Sequence, residues 1–195
     1  MHDPAAPGAL IKAALVHVQF ETIHPFLDGN GRVGRLLIAL LLHHDGVLRQ
    51  PLLYLSLYFK QNRADYYRLL DAVRTTGDWE SWLDFFLTGV RDTGSAAVET
   101  AHRLLALFET DTETIQDVGR SAGNILRVFH TLRRRPVATI DYLADASGVS
   151  YATAVRAVRT LTEIGLLREL TGRRRGRVFA YDRYLVILSE GAQPL

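Results

Sequence analysis

Residues 24–35, HPFLDGNGRVGR, combine glycines and charged side chains that could bind phosphate. The glycine-rich segment 29–31 lies where a helix is predicted to begin, so its backbone N–H groups can point at an anion. Arg32 and Arg35 lie three residues apart and project near that same helix end. Their forked guanidinium groups suit the oxygens of a polyphosphate.

Two other side chains of this segment add proton and metal chemistry. Asp28 is a carboxylate of the kind that holds Mg²⁺ against phosphate oxygens, and it could also cap the helix that follows. Histidine is the side chain best suited to accept a proton near neutral pH, so His24 is a candidate general base. Together these groups predict a site that binds a nucleoside triphosphate and activates a hydroxyl to attack it.

Two other phosphate-binding patterns match the same glycines only in part. Gly29-x-Gly31-x-x-Gly34 has the letters of the dinucleotide fingerprint, which requires a preceding strand and an acidic residue about 20 positions later. The preceding residues look helical, and residues 52–60 read LLYLSLYFK, without an acid. A P-loop would need a lysine and a hydroxyl residue after Gly34, where this chain has Arg-Leu.

The segment HPFLDGNGRVGR resembles the signature of Fic proteins, HPFx(D/E)GNGRxxR, and every defined position is filled. The stretches LIKAALVHVQFETIHPF, PLLYLSLYF, ADYYRLL and GDWESWLDFFL are also similar to longer Fic proteins that carry a C-terminal winged helix. This resemblance covers roughly the whole chain. It implies a mainly α fold, a Fic-type helical bundle followed by a winged helix-turn-helix with a small β-hairpin.

The resemblance also implies a role for each matched residue. His24 would deprotonate a Ser, Thr or Tyr hydroxyl on a target protein, Phe26 would anchor the loop in the core, and Asp28 would bind Mg²⁺. Arg35 would be the second catalytic residue, neutralising the departing pyrophosphate, and Arg32 would hold the terminal phosphates. The anion hole would be formed by Gly29, Asn30 and Gly31.

The implied reaction is the transfer of AMP from ATP to a protein, with ATP and Mg²⁺ required. Gly31 favours this reaction over phosphoryl transfer, because kinase-like relatives carry lysine at that position. Removal of AMP by the same site is an alternative. It usually depends on an inhibitory glutamate motif, [S/T]xxxE[G/N], which Ser95-x-x-x-Glu99 matches only partly. Because 23 residues precede His24, we expect a Fic domain that lacks the upstream flap and helices.

The second half of the chain predicts a helix over residues 123–136, a helix-turn-helix with its turn at Gly148, and strands over 166–170 and 177–181. Residues 1–119 carry a formal charge of −5 and residues 120–195 one of +7. This split favours DNA contact by residues 120–195. The candidate contacts are Arg156, Arg159, Arg173, Arg174, Arg175 and Arg177.

Winged helices also serve in protein docking and dimerisation, so a docking role and a homodimer stay open. A DNA-binding regulator with an inactive Fic part is therefore the main alternative to the enzyme. We place the domain limits at 1–118 and 119–195, with the polar stretch 109–119 as the boundary. The absence of cysteine and of a long apolar run favours a cytoplasmic protein without membrane contact.

In the first half, helices are predicted over residues 9–23, from about Gly31 to Gly46, over 50–60 and over 64–77. Asp78 should cap a further, long helix, whose helical structure should be weaker at Gly89 and Gly94. Two neighbouring aromatic residues have two possible roles, lining an adenine pocket or packing in the core: Tyr66 and Tyr67.

Overall fold

The computed structural model describes residues 7–49 and 54–190. Packing divides the chain into two compact units, residues 1–97 and 98–195. The fold is mainly helical, as predicted, with one small sheet in the second unit. Within the described ranges, none of the helices combines the length and the apolar content that a membrane crossing requires.

The first unit is built from helices whose ends follow local sequence signals. Pro25 ends the first helix at Ile23, Gly46 follows the end of the second, and Asp78 accepts a hydrogen bond from the Ser81 N–H at the start of the fifth. Predicted residues 50–53 lie outside the described ranges. The helices are α1 (Ala9–Ile23), α2 (Asn30–His44), α3 (Leu55–Gln61), α4 (Arg63–Thr76) and α5 (Trp79–Gln116).

The core of this unit lies between aromatic side chains of α3, α4 and α5 and the small residues of α1. Trp82 and Phe86 are fully buried, and the Trp82 indole N–H donates to the Ala14 carbonyl of α1 at 3.2 Å. Phe59 stacks on Tyr66 with ring centroids 4.8 Å apart. Tyr66 is therefore buried in the core, which was one of the two roles predicted for it. Tyr67, by contrast, is exposed.

We predicted that the helical structure of the fifth helix would be weakened at two glycines. This prediction is wrong, because α5 runs unbroken through Gly89 and Gly94. Gly89 allows α3 to approach closely, since a Cβ there would lie 2.5 Å from Cδ1 of Tyr58. The polar stretch 109–119, which we predicted as the domain boundary, is helical as far as Gln116, where α5 ends. Leu107, Asp111 and Ile115 recur every fourth residue and are buried in the second unit, which keeps this stretch helical.

The second unit contains a helix-turn-helix followed by a short hairpin, as predicted. Its elements are α6 (Ala122–Arg134), β1 (Val137–Thr139), α7 (Ile140–Ser147), α8 (Tyr151–Glu163), β2 (Arg168–Glu169), β3 (Val178–Ala180) and α9 (Asp182–Ser189). Strand order is β1-β3-β2, all antiparallel, with Ala138 opposite Phe179. Gly148, in the left-handed conformation, ends α7 and makes the turn into α8. The limits 1–118 and 119–195 stay a prediction.

Candidate active site

The loop between α1 and α2 carries the residues of the HPFLDGNGRVGR segment. His24 ends α1 in the left-handed conformation, with φ 48°, and its N–H donates to the Phe20 carbonyl at 2.9 Å. Proline after it disfavours the α region for His24, which explains the break. Gly29 precedes α2 with φ 83°, a value that suits glycine. The loop thus begins with an exposed imidazole and ends at a helix N-terminus.

Asn30 holds this loop from inside. Its side chain is buried, accepts a hydrogen bond from the Phe26 N–H at 2.9 Å and donates one to the Phe26 carbonyl at 2.6 Å. Asn30 is the first residue of α2, so its side chain fixes the loop onto the helix start. A contribution to the anion hole can therefore come from its backbone N–H, since the first amides of a helix have no partner within it.

The expectation that Phe26 anchors the loop in the core is wrong. Its side chain is 52% exposed, and its ring lies 6.3 Å from that of Phe20 on the surface. The two Asn30 hydrogen bonds fix the backbone of Phe26 to α2, so the loop is held without burial of the ring. The phenyl ring is left facing outward.

Asp28 and Arg32 face each other across the mouth of α2. One Asp28 carboxylate oxygen lies 3.6 Å from a guanidinium nitrogen of Arg32, and both side chains are largely exposed. The other accepts a hydrogen bond from the Gly29 N–H at 2.6 Å. Asp28 is not the cap of α2, because Gly29 occupies that position and makes no side-chain bond.

Arg32 and Arg35 both fold back against the glycines of the loop. A Cβ on Gly29 would lie 3.5 Å from an Arg32 guanidinium nitrogen, and one on Gly31 would lie 3.0 Å from an Arg35 guanidinium nitrogen. The two cations thus flank a glycine cradle at the N-terminus of α2. Positive charge, the positive end of the α2 dipole and the absence of side chains at 29 and 31 together suit a polyphosphate.

Beneath the loop lies a buried polar cluster that the sequence analysis missed. His17 is completely buried on α1, and its Nε2 lies 2.9 Å from the Tyr66 hydroxyl of α4. Glu21, one turn further along α1, is also buried. Positions 17 and 21 lie on one face of α1, and polar residues at this spacing on an apolar helix are the signal that could have identified the cluster.

Burial sets the protonation states of this cluster. It lowers the pKa of His17 to about 4, so the imidazole is neutral at neutral pH. Burial also raises the pKa of Tyr66, and the nearby Glu21 carboxylate adds to this. The Tyr66 hydroxyl therefore keeps its proton in the hydrogen bond with His17.

The end of α1 is held in place by Arg74 of α4. The Arg74 guanidinium donates to the Glu21 carbonyl at 3.1 Å and to the Thr22 hydroxyl at 3.3 Å. These bonds satisfy groups in the last turn of α1, where backbone carbonyls have no partner inside the helix. The backbone that carries Glu21 and His24 is thereby fixed to a third element of the unit.

The predicted nucleic-acid contacts lie on α8 and in the turn between β2 and β3. All six arginines are exposed: Arg156, Arg159, Arg173, Arg174, Arg175 and Arg177. Two of them make ion pairs, Arg159 with Glu163 at 2.8 Å and Arg177 with Glu169 at 2.5 Å. Exposed ion pairs of this kind are weak, so they can be exchanged for phosphate contacts.

Residues 3–42 match the sequence model of the Fic/DOC family, and residues 121–171 match that of the IclR helix-turn-helix domain. Residues 3–42 are thus similar to the Fic/DOC family and are called the Fic segment below, and residues 121–171 are similar to a helix-turn-helix domain.

Two curated relatives of the Fic segment are named as protein adenylyltransferases. A probable one from Aquifex aeolicus is 54% identical over 37 residues, which are 19% of this chain and 12% of that protein. Protein adenylyltransferase Fic from Drosophila willistoni is 33% identical over 105 residues, 52% of this chain and 20% of that protein. The chain thus spans no more than about a fifth of the length of either relative.

A solved Fic family protein from Desulfovibrio desulfuricans G20 is also similar. It is 24% identical, with a TM-score of 0.47, and the match covers 91% of this chain and 50% of that one. A likeness at this level supports no argument about function.

The described part of the chain holds no group of three or more His, Cys, Asp or Glu side chains that could form a metal centre. Within the Fic segment, Asp28 is the predicted metal ligand, and one carboxylate can contribute to a cation that also takes oxygens from phosphates and water.

At the far end of α2, His43 donates to the Leu48 carbonyl through Nδ1 at 2.9 Å.

Proposed function

We propose that the Fic segment transfers AMP from Mg·ATP to a hydroxyl side chain of a target protein. The observation that carries this proposal is the loop that begins with the exposed His24 and ends at the start of α2, where Arg32 and Arg35 flank the glycine cradle. Relatives of this segment named as protein adenylyltransferases support the same reaction class.

The reaction needs a base on one side of the α-phosphorus and cations on the other. The oxygen of a Ser, Thr or Tyr hydroxyl would attack the α-phosphorus while its proton passes to the His24 imidazole. The bond from the α-phosphorus to the bridging oxygen would break, and pyrophosphate would leave. The His24 side chain is 59% exposed, which leaves it open to a hydroxyl from another protein.

The cradle supplies the groups that this leaving charge requires. The backbone amides of Asn30 and Gly31, the first two residues of α2, would take phosphate oxygens, helped by the positive end of the helix dipole. Arg32 would hold the terminal phosphates, and Arg35 would stabilise the charge that develops on the pyrophosphate. Donors fixed in advance by the fold need no reorganisation during the reaction.

The residues present also fit a magnesium ion. The Asp28 side chain is 95% exposed, and one of its carboxylate oxygens lies 3.6 Å from a guanidinium nitrogen of Arg32. Magnesium prefers carboxylate and phosphate oxygens and keeps several waters, so one protein ligand is sufficient. When bound, the ion would neutralise part of the phosphate charge.

The test is the intact mass of the purified chain and of candidate target proteins after incubation with Mg·ATP. We expect a gain of one adenylyl group with the wild type and with His102→Ala, and no gain with His24→Ala. His102 is an exposed histidine of α5, so it controls for the loss of an imidazole. No gain with the wild type, together with no Mg²⁺-dependent ATP binding, would contradict the proposal. A loss of AMP from an already modified target would instead favour the reverse reaction.

We propose DNA binding as a second function, carried by the helix-turn-helix region. The match to the IclR helix-turn-helix domain and the exposed position of Arg156 on α8 support it. Basic side chains on such a helix and in a neighbouring turn can contact phosphates on both sides of a groove.

This second proposal predicts salt-dependent binding of the full chain to duplex DNA. Arg156→Ala should weaken binding and reduce the slope of log K against log salt by about one. Arg91→Ala is the matched control, because Arg91 is an exposed arginine of the first unit that pairs with Asp92. Binding that is unaffected by salt or by Arg156→Ala would argue for a docking role of this region.

A further inference from the structure

Glu21 is a buried carboxylate with an incomplete set of partners. Its side chain is 9% exposed, and one oxygen, Oε1, is fully buried without a hydrogen-bond partner in the described residues, 7–49 and 54–190. A buried charge without compensation is costly, far more so than a neutral group. A buried carboxylate oxygen without a hydrogen bond, on a residue three positions before the candidate base His24, therefore needs an explanation.

The other oxygen of Glu21 points toward His24. Oε2 lies 4.0 Å from Nδ1 of the His24 ring, one turn further along the chain. This distance is too long for a hydrogen bond, but catalytic hydrogen bonds are often long in the absence of substrate and shorten when it binds. The imidazole is exposed and can rotate, whereas Glu21 is packed against α2.

The surroundings of Glu21 restrict the direction in which its carboxylate can move. On the α2 side, Gly34 lies so close that a Cβ there would be 2.6 Å from Oε1. On the α4 side, Arg74 fixes the Glu21 carbonyl and the adjacent Thr22 hydroxyl. The remaining oxygen, Oε2, is the one that lies 4.0 Å from the His24 ring.

We propose that Glu21 is the positioning residue of His24: its Oε2 accepts the Nδ1–H of the imidazole and turns Nε2 toward the acceptor hydroxyl. This inference rests on the proposed function, because it assigns Nε2 the role of base. A histidine that acts as a base is oriented when a carboxylate holds its other nitrogen, which also selects the tautomer. No step of the transfer passes through Glu21 itself.

The test compares Glu21→Leu with Glu21→Gln in the full chain. Leucine removes both oxygens from a buried position, so the unfolding midpoint should stay unchanged or rise. The kcat for AMP transfer should nevertheless fall about 10- to 100-fold, with the KM for ATP changed by less than about twofold. Glutamine keeps an acceptor oxygen and should lose less. Glu80→Leu, at an exposed site at the start of α5, is the matched control.

A second readout does not depend on activity. In spectra of the chain labelled with ¹⁵N-histidine, recorded with Mg·ATP present and with His24 assigned by loss of its signals in His24→Ala, the wild type should show the Nδ1–H tautomer. Glu21→Leu should abolish that preference. Unchanged His24 signals in Glu21→Leu would overturn the inference, as would a loss of activity explained by a lower unfolding midpoint. If the wild type transfers no AMP while the tautomer still depends on Glu21, the proposed function fails and the positioning role stands.

Discussion

At the scale of single residues, Gly34 sets how closely α1 and α2 approach. A Cβ at Gly34 would lie 2.6 Å from Oε1 of Glu21, 3.1 Å from Phe20 and 3.2 Å from His17. These neighbours are packed, so Gly34→Ala should lower the free energy of unfolding of the first unit by about 1–3 kcal/mol. Urea unfolding followed by tryptophan fluorescence measures this, because both tryptophans, Trp79 and Trp82, belong to that unit.

Gly94 provides the matched control for this substitution. It also lies inside a helix, α5, but a Cβ there would meet nothing within 4 Å. Alanine favours helix more than glycine does, so Gly94→Ala should leave stability unchanged or raise it by up to about 1 kcal/mol. If both variants lost stability equally, the cause would be the helix backbone and not the contact at Gly34.

His17 should make the stability of the first unit depend on pH. Burial lowers its pKa to about 4 from 6.5, so between these values the unfolded chain binds the proton and the folded chain does not. Stability is therefore complete above pH 6.5 and is lost as the pH falls toward 4. At pH 4.5 the loss is on the order of 2–3 kcal/mol relative to neutral pH. Urea unfolding at several pH values, with tryptophan fluorescence as the probe, measures this slope.

Two glutamine variants separate His17 from the other acid-sensitive groups. His17→Gln keeps a side chain that can bond the Tyr66 hydroxyl, and its stability should vary less between pH 4.5 and 7 than that of the wild type. His102→Gln, at an exposed position, should keep the full slope. An identical slope in all three proteins would contradict this prediction, because it would show that protonation of His17 does not destabilise the folded chain.

At the scale of elements, the parts predicted correctly have local signals, and the parts missed depend on distant contacts. Pro25, Gly46 and Gly148 define chain breaks through their own backbone preferences, so the helix ends follow from the sequence. Strand β1 has three residues and exists because it pairs with β3, some 40 positions later. Such a short pairing leaves no periodic pattern in the chain.

The candidate site shows the same division. The residues of HPFLDGNGRVGR are contiguous, so one helix start brings them together and their grouping could be predicted. The floor of the site joins His17 to Tyr66, 49 positions apart, through the packing of α1 on α4. The surface position of Phe26 was missed because its backbone is fixed by the Asn30 side chain, a contact that no propensity encodes.

The start of α8 supplies a prediction at this scale. Ser150 caps the helix, its hydroxyl accepting a hydrogen bond from the Thr153 N–H at 3.2 Å. Ser150→Ala should destabilise the start of α8 by about 1 kcal/mol, whereas Ser150→Gly should cost only a few tenths. Backbone hydrogen exchange of residues 151–155 measures this, with Ser95→Ala in α5 as the control. Equal protection in Ser150→Ala and the wild type would show that the cap contributes nothing.

At the scale of the whole molecule, both the distribution of charge and the packing divide the chain into a first and a second part. An acidic first part precedes a basic second part, and the two compact units meet in sequence at residues 97 and 98, inside α5. The residues proposed for AMP transfer all belong to the first unit and those proposed for DNA contact to the second. Each activity should therefore be abolished by substitutions in one unit without loss of the other.

The second unit has a buried polar contact that tests whether the two units unfold together. The Tyr181 hydroxyl donates to the buried Asp111 carboxylate, which also accepts a hydrogen bond from Arg183 at 2.6 Å. Tyr181→Phe would leave one carboxylate oxygen without its donor and should cost about 1–3 kcal/mol in the second unit. Hydrogen exchange of α6 should report this loss, while the tryptophan-detected midpoint of the first unit should not move.

Tyr184→Phe, on a ring 5.9 Å from that of Tyr181, is the control for loss of a hydroxyl. A shift of the tryptophan midpoint in Tyr181→Phe alone would mean that α5 couples the two units into one cooperative transition.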